Sequence, residues 1–267
     1  MMTMPFITIF TPTYNRAYTL PDLYKSLQQQ TDKNFEWLVV DDGSTDDTEN
    51  LFRQWVTEKN NFTIIYMKTA NGGKQRAVNT GVENASGRYF WIVDSDDTLV
   101  PESVEICTKW LKTIDDKADF AGVSGTIASK DGQLMGQTFD REYVDATSLE
   151  RDKYNIKGDK SEIFRTEILK QFPFPVFEGE KFVPEALVWN RIATAGYKLR
   201  WFNETVYIAE YLPDGYSRNV DKNLISNWKG YSLYVKEVVA SSMPLKNRIL
   251  IFGAYCLRGI KKICRMY

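Results

Sequence analysis

The sequence predicts an α/β fold, a mostly parallel sheet flanked by helices, closed by an amphipathic helical tail at the C-terminus. Three observations predict it. Four runs of apolar and β-branched residues alternate with helix-period segments through the first hundred residues, which is the pattern of right-handed βαβ units. The connections between them are short. Each run also ends in a polar stretch, and in a parallel sheet such stretches gather along one edge, where ligands bind.

The elements follow in order. Phe6 to Thr11 alternates apolar and β-branched residues and reads as the first strand, and Leu20, Leu23 and Leu27 after Pro21 recur at helical spacing. Phe35 to Val40 is the second strand. Ser44 or Thr45 is then placed to cap a helix whose apolar face is Leu51, Phe52, Trp55 and Val56. Phe62 to Met67 is the third strand, followed by Asn71-Gly72-Gly73-Lys74 and a helix carrying Ala77, Val78 and Val82. The fourth, Tyr89 to Val93, is continuous enough to be buried on both faces and delivers Asp94, Ser95, Asp96 and Asp97 at its carboxyl end. These acids want a cation; the structural alternative is that they only cap the helix opened by Pro101 and Glu102.

Beyond residue 101 a helix with Val104, Cys107, Trp110 and Leu111 precedes a strand over Asp119 to Ala128 and a turn at Lys130-Asp131-Gly132. Thr138 to Asp159 reads as a mobile, irregular loop over the cleft. Ser161 to Arg165 is a short strand, and Thr166 caps a helix that Pro173-Phe174-Pro175 ends. Pro184 suits the first position of a helix running to Ala195 and stopped by Gly196, with Glu185 in its first turn, and Tyr197 to Tyr211 is an aromatic strand. Pro244 to Tyr267 mixes apolar residues with Lys246, Arg248, Arg258, Lys261, Lys262 and Arg265. It reads either as a basic helix lying on an anionic membrane surface or as a terminal helix with a solvated basic face. Its uncharged run is too short to span a bilayer.

Composition narrows the chemistry. The 267 residues suffice for one large domain, and a net charge of −1 excludes a nucleic-acid binder that works through a broad positive field. Histidine is absent, so a general base near neutral pH must be a carboxylate or a less usual group, and a metal must be held by oxygens. Cys107, Cys256 and Cys264 have no metal-ligand spacing and no signal peptide precedes them, which points to a reducing cytoplasm; the last two read as small buried hydrophobes.

Pro12-Thr13-Tyr14-Asn15-Arg16, Val39-Val40-Asp41-Asp42-Gly43-Ser44-Thr45-Asp46, Asn79-Thr80-Gly81 and Asp94-Ser95-Asp96-Asp97 resemble, in order and spacing, the donor half of family 2 glycosyltransferases. That resemblance implies a GT-A fold, a Rossmann-like nucleotide-diphospho-sugar transferase architecture. Residues 1–100 would form the donor-nucleotide half and 101–212 the acceptor half, with 213–267 as a helical extension. Glu185 to Gly196, with Arg191 inside, looks like the family's acceptor-side helix, although its usual Glu-Asp opening reads Pro184-Glu185 here. The Gln-x-x-Arg-Trp run of processive members is absent, which favours transfer of one sugar at a time.

The resemblance implies an inverting transfer from a nucleotide-sugar donor, a UDP-sugar, to a hydroxyl of a glycan or lipid-linked glycan in bacterial-type surface polysaccharide synthesis at the cytosolic membrane face. Asp94 and Asp96 form its Asp-x-Asp element, Asp96 holding Mn²⁺ or Mg²⁺ while Asp94 and Ser95 face ribose and diphosphate. Among the donor-side residues Thr11 to Arg16, Tyr14 can stack on a base, and Asp41 or Asp42 can accept from a uracil N–H. Lys74, Arg76 or Arg16 can neutralise phosphate. Glu185 is the candidate general base, with Glu180 and Glu178 as rivals on the preceding loop. Two other classes compete: a sugar nucleotidyltransferase, disfavoured because Thr11 to Arg16 holds no glycine, and a non-catalytic sugar-nucleotide-binding module.

Overall fold

The computed structural model describes residues 4–210, 212 and 219–264. Its first half is β1 (Ile7–Thr13), α1 (Leu20–Gln28), β2 (Phe35–Asp41), α2 (Thr48–Trp55), β3 (Thr63–Lys68), α3 (Lys74–Asn84) and β4 (Tyr89–Ile92). The four strands are parallel in the order β3-β2-β1-β4. Every residue of β1 and β2 is buried, because each face of the strand pair meets a different core. Ile9, Trp37 and Trp91, in register, pack with Leu20, Leu23 and Leu27. Phe10, Leu38 and Phe90 point the other way, onto Ala77, Val78 and Val82. Strand period two thus explains why these runs read as continuously apolar.

The chain continues through β5 (Thr98–Leu99), α4 (Ser103–Lys112), β6 (Phe120–Ser129), β7 (Tyr143–Ala146), a 3₁₀ helix (Ser148–Tyr154), β8 (Lys160–Arg165), α5 (Thr166–Gln171), α6 (Ala186–Thr194) and β9 (Lys198–Ala209). The sheet now turns mixed. β8 lies antiparallel against β4, β6 antiparallel against β8 and β9 parallel to β6, while β5 and β7 each add antiparallel to β9. Helices α7 (Val220–Ser226), α8 (Trp228–Ala240) and α9 (Leu245–Cys264) follow. Trp228, Tyr231 and Tyr255 join α8 to α9.

Several expectations are corrected. The segment 138–159 is ordered by β7 and the 3₁₀ helix: Arg200 of β9 clamps Asp145 through two bonds of 2.8 and 2.7 Å, and Thr147 and Glu150 form a capping box. The acids after β4 do not cap α4, since β5 intervenes and Glu102 takes the N-cap position. Ser44 and Thr45 do not cap α2, which starts at Thr48 with Asp46 accepting that residue's N–H and O–H; Val56 is exposed. Thr166 donates its hydroxyl to the Gly87 carbonyl instead of capping α5. Pro184 stands ahead of α6, whose N-cap position is Glu185. Tyr211 lies outside the described residues.

In helix α9 the basic face is not the solvated one. Arg258 and Lys261 both reach Asp221 of α7, at 2.8 Å for Arg258, and Lys262 donates to the Ile225 carbonyl at 3.2 Å. Arg258, Lys261 and Lys262 therefore hold the helix to the protein. Leu245, Ile249, Leu250, Phe252, Leu257, Ile260 and Ile263 are the ones exposed, and Cys256 and Cys264 lie exposed beside them, not buried. Of the described residues, no helix is long and apolar enough to cross a membrane.

Candidate functional site

At the carboxyl edge of the parallel strands the loops after β1 and β2 are stitched together. Asn15, at φ +53°, donates its backbone N–H to Ser44 Oγ at 2.8 Å, and its Oδ1 accepts from the Thr45 N–H at 2.8 Å. An Asn tolerates this left-handed turn where a larger side chain would not. The turn leaves the Tyr14 ring 48% exposed, available to a planar ligand. Thr11 and Pro12 lie one step earlier, inside β1 and buried, and Thr11 Oγ1 accepts from the Trp37 indole at 3.0 Å. Both shape the strand end from within the core.

The two acids closing β2 do different work. Asp41 is fully buried, with its oxygens taken by the Ser44 N–H at 2.7 Å and the Tyr66 hydroxyl at 2.5 Å. Burial and this acid together drive the Tyr66 phenol well above its ordinary range. Asp42 accepts the N–H groups of Gly72 and Gly73 at 2.6 and 2.8 Å, folding the loop before α3 against the cleft. Gly73 needs its φ of +95° and its bare Cα, because a Cβ would stand 2.1 Å from the Lys181 carbonyl.

That loop delivers Lys74, which connects the two halves of the site. Its Nζ lies 2.6 Å from Asp94 Oδ1, at the end of β4, and 2.9 Å from Glu185 Oε1, at the start of α6. Burial alone would lower the ammonium pKa, but Asp94 and Glu185 outweigh it and hold Lys74 firmly charged. Arg76 is spent otherwise: its guanidinium donates to the carbonyls of Gly72, Phe177 and Glu180 and so pins the 177–180 loop. Arg16 donates to the Tyr18 hydroxyl at 2.7 Å and lies near enough to Asp96 to favour its ionised form.

The three acids after β4 are distinguished by their partners. Asp94 pairs with Lys74, and the adjacent Ser95 is buried. Asp97 accepts the Tyr207 hydroxyl at 2.7 Å and the Glu210 N–H at 2.8 Å; burial and then Asp94 push its carboxyl up to about 7. Asp96 is only partly buried, and among the described residues no other residue's side chain bonds to it. Burial and Asp94 raise its pKa, which is the condition of a carboxylate short of a cation. Nothing in the sequence signals Tyr207, which arrives from β9 and whose hydroxyl also accepts the Asp94 N–H at 3.0 Å.

Of the rival bases, Glu180 is occupied: its carboxylate accepts the N–H groups of Lys229 and Gly230, at 2.7 and 2.8 Å, in the first turn of α8. This is helix capping from a distance. Glu180→Ala should therefore lower unfolding free energy by about 1–2 kcal/mol, read in a urea melt, while UDP affinity stays at the wild-type value. Glu178 is exposed on the same loop. Arg191 on α6 forms a two-bond pair with Glu237 of α8, at 2.9 and 2.7 Å, fixing the helix that begins at Glu185.

The residues present fit an oxygen-bound divalent cation only in part. Among the described residues no three acidic, cysteine or histidine side chains converge to hold an ion alone. Asp96, with Asp94 beside it, offers hard carboxylate oxygens of the kind Mg²⁺ or Mn²⁺ takes, and the remaining positions suit phosphate oxygens and water. The set is suited to a metal that arrives with a diphosphate.

Comparison with known proteins gives the family and the fold. The profile of the family described as Glycosyl transferase family 2 matches residues 8–172. Over 226 residues the chain is 26% identical to TuaG of Bacillus subtilis (strain 168), provisionally named a teichuronic acid biosynthesis glycosyltransferase, and covers 84% of each protein. Two other curated relatives are much longer, the chain spanning 30% of one and 17% of the other. Among solved structures, S. aureus TarS 1–349 in complex with UDP-GlcNAc superposes with a TM-score of 0.68 at 21% identity, over 94% of this chain and 72% of that one. The mannosyltransferase PcManGT from Pyrobaculum calidifontis, in complex with GDP-Man and Mn²⁺, gives 0.63 at 19% identity, over 95% and 70%. These two likenesses establish the GT-A architecture.

Proposed function

The chain belongs to glycosyl transferase family 2, and from that membership we propose that this glycosyltransferase moves a single sugar, with inversion, from a UDP-sugar to a hydroxyl of a glycan or lipid-linked glycan in polysaccharide synthesis. The observation that carries the reading is the Lys74 bridge, which brings the acid of the donor strand and the acid of the acceptor-side helix to one ammonium. TarS and PcManGT were solved with a UDP-sugar and with a GDP-sugar and Mn²⁺, which supports a nucleotide sugar and a divalent cation at the corresponding edge.

In this reading Tyr14 stacks on the base and Asp41 or Asp42 accepts the uracil N–H. Asp94 and Ser95 face the ribose and diphosphate, and Lys74 and Arg16 neutralise phosphate charge. Asp96, with Asp94, holds the divalent cation. When bound, that cation supplies Lewis-acid stabilisation of the leaving diphosphate. Glu185 takes the proton from the acceptor hydroxyl as its oxygen attacks the anomeric carbon opposite the departing diphosphate, so the configuration inverts. A diphosphate reaching Lys74 gives that ammonium a new anionic partner and loosens its hold on Glu185, which links donor arrival to a free base.

The test is thermal shift with a panel of UDP- and GDP-sugars, each with and without Mn²⁺. One donor at a hundredfold excess over Kd should stabilise the protein by about 2.7 kcal/mol, a rise of roughly 5–10 °C, and only with the metal present. A panel that moves nothing defeats the reading. Residues 244–267, through the apolar face of α9, are proposed to rest on an anionic membrane surface at the cytosolic side. Ile249→Glu with Phe252→Glu should cut co-sedimentation with phosphatidylglycerol vesicles at least about tenfold; equal sedimentation would remove the membrane from the picture.

A further inference from the structure

A cavity of ≈ 440 Å³ lies between the 3₁₀ helix, β8, α6 and α9. That volume is within the range of about 300–1,000 Å³ typical of small-ligand sites. Ala186, next in the chain to Glu185, lines it together with Trp189 and Asn190 from one face of α6, and Glu185 is close enough to the lining residue Glu162 to raise its pKa. Its outer rim is Leu250 and Ile251 of α9.

Two polar groups in this cavity have no structural employment. Asn190 is 8% exposed, and its Nδ2 has no hydrogen-bond partner. Buried amide donors are nearly always satisfied, so an orphan on a residue that lines a cavity marks the place of an absent acceptor. Glu162 of β8 also lines the cavity, and among the described residues no side-chain hydrogen bond engages it. Burial pushes its carboxyl up to about 7, against the pull of Arg151 and with the help of Glu185, so it can donate as well as accept near neutrality. Trp189 adds an aromatic wall, steadied by Phe164 stacked on it at 4.3 Å.

An amide donor, a carboxyl that works both ways and an aromatic wall match a sugar's hydroxyls and C–H face. The far end asks for something else. Leu250 is exposed and continues into the apolar stripe of Ile249, Phe252 and Leu257. We propose that this cavity is the acceptor site and that the acceptor is an amphiphilic saccharide, its sugar hydroxyls on Asn190 and Glu162 and its apolar aglycone leaving over Leu250 onto the outer face of α9. The proposal rests on the glycosyl-transfer reading above and adds to it the acceptor's chemical class and position.

The experiment needs no donor. Methyl and n-octyl glycosides of glucose, galactose and N-acetylglucosamine are titrated into the full chain by calorimetry, below the concentration at which the octyl compounds form micelles. At least one octyl glycoside should bind about tenfold more tightly than its methyl counterpart. Asn190→Ala and Glu162→Gln should each weaken it about five- to tenfold, and Leu250→Asp should erase the preference for octyl. Mn²⁺-dependent UDP affinity, measured on the same variants, reports that the donor half remains folded. Octyl glycoside binding that survives in both Asn190→Ala and Glu162→Gln is adhesion of detergent to α9 and overturns the proposal, as does a panel that fails to bind while UDP binds. Failure of UDP alone, with glycoside binding intact and sensitive to Asn190, would instead strike the donor reading.

Discussion

Asp96→Asn is expected to remove the metal-dependent part of UDP-sugar binding and to lower kcat/KM by about two to three orders of magnitude, with no loss of folded protein. The substitution keeps shape and deletes charge. Its neighbours cannot replace it: Asp94 alone, already shared with Lys74, is one ligand short, and Asp97 is engaged by the Tyr207 hydroxyl and the Glu210 N–H. Because Asp96 bonds to no other side chain among the described residues, its loss should leave the urea midpoint unchanged or raise it slightly by relieving repulsion from Asp94. Asp97→Asn should behave in the opposite sense, loosening the tie between the β4 loop and β9. Calorimetry with UDP, with and without Mn²⁺, separates them. Unchanged metal-dependent affinity in Asp96→Asn would remove this residue from the metal site.

The parallel half of the fold was legible because each signal was local. Ile9 beside Phe10 and Trp37 beside Leu38 read as continuous apolar runs since helices cover both faces, and Gly73 followed by Lys74 reads as a turn opening a helix. The mixed half was less so. β7 exists through Asp145 and Ala146 bonding to Arg200 and Trp201, some 55 residues further on, and a polar segment whose partners are that distant resembles a loop. The capping box of Thr147 and Glu150 was the one local clue to order there.

The site divides on the same line. Residue type and position after a strand bring Asp94, Asp96, Tyr14 and Lys74 to one edge, but they do not tell which acid is sealed by Tyr66, which arginine is tied to carbonyls, or that Glu180 serves α8. Tail polarity inverted for a related reason. Periodicity reports that α9 has two faces; only Asp221 on α7, placed to take Arg258 and Lys261, decides that the basic one turns inward.

Glu185→Gln is expected to lower kcat by about 10²–10⁴ while the KM for the donor and the affinity for UDP stay within about threefold of wild type, a span that is under 1 kcal/mol. The amide preserves the N-cap position of α6 and can still accept from Lys74, so the loss should appear in the transfer step and not in folding. Lys74→Met should differ in kind. It leaves Asp94 and Glu185 without their shared cation and takes a positive charge from the donor's phosphate side, so KM and kcat should both deteriorate and the protein should lose stability. A steady-state comparison of the two variants, with UDP release measured in the presence and absence of acceptor, distinguishes a proton-accepting carboxylate from one that merely positions Lys74. Should Glu185→Gln transfer sugar at the normal rate, the carboxylate is only a partner for Lys74, and the base must be sought among acids that face the acceptor cavity, of which Glu162 is the first to test.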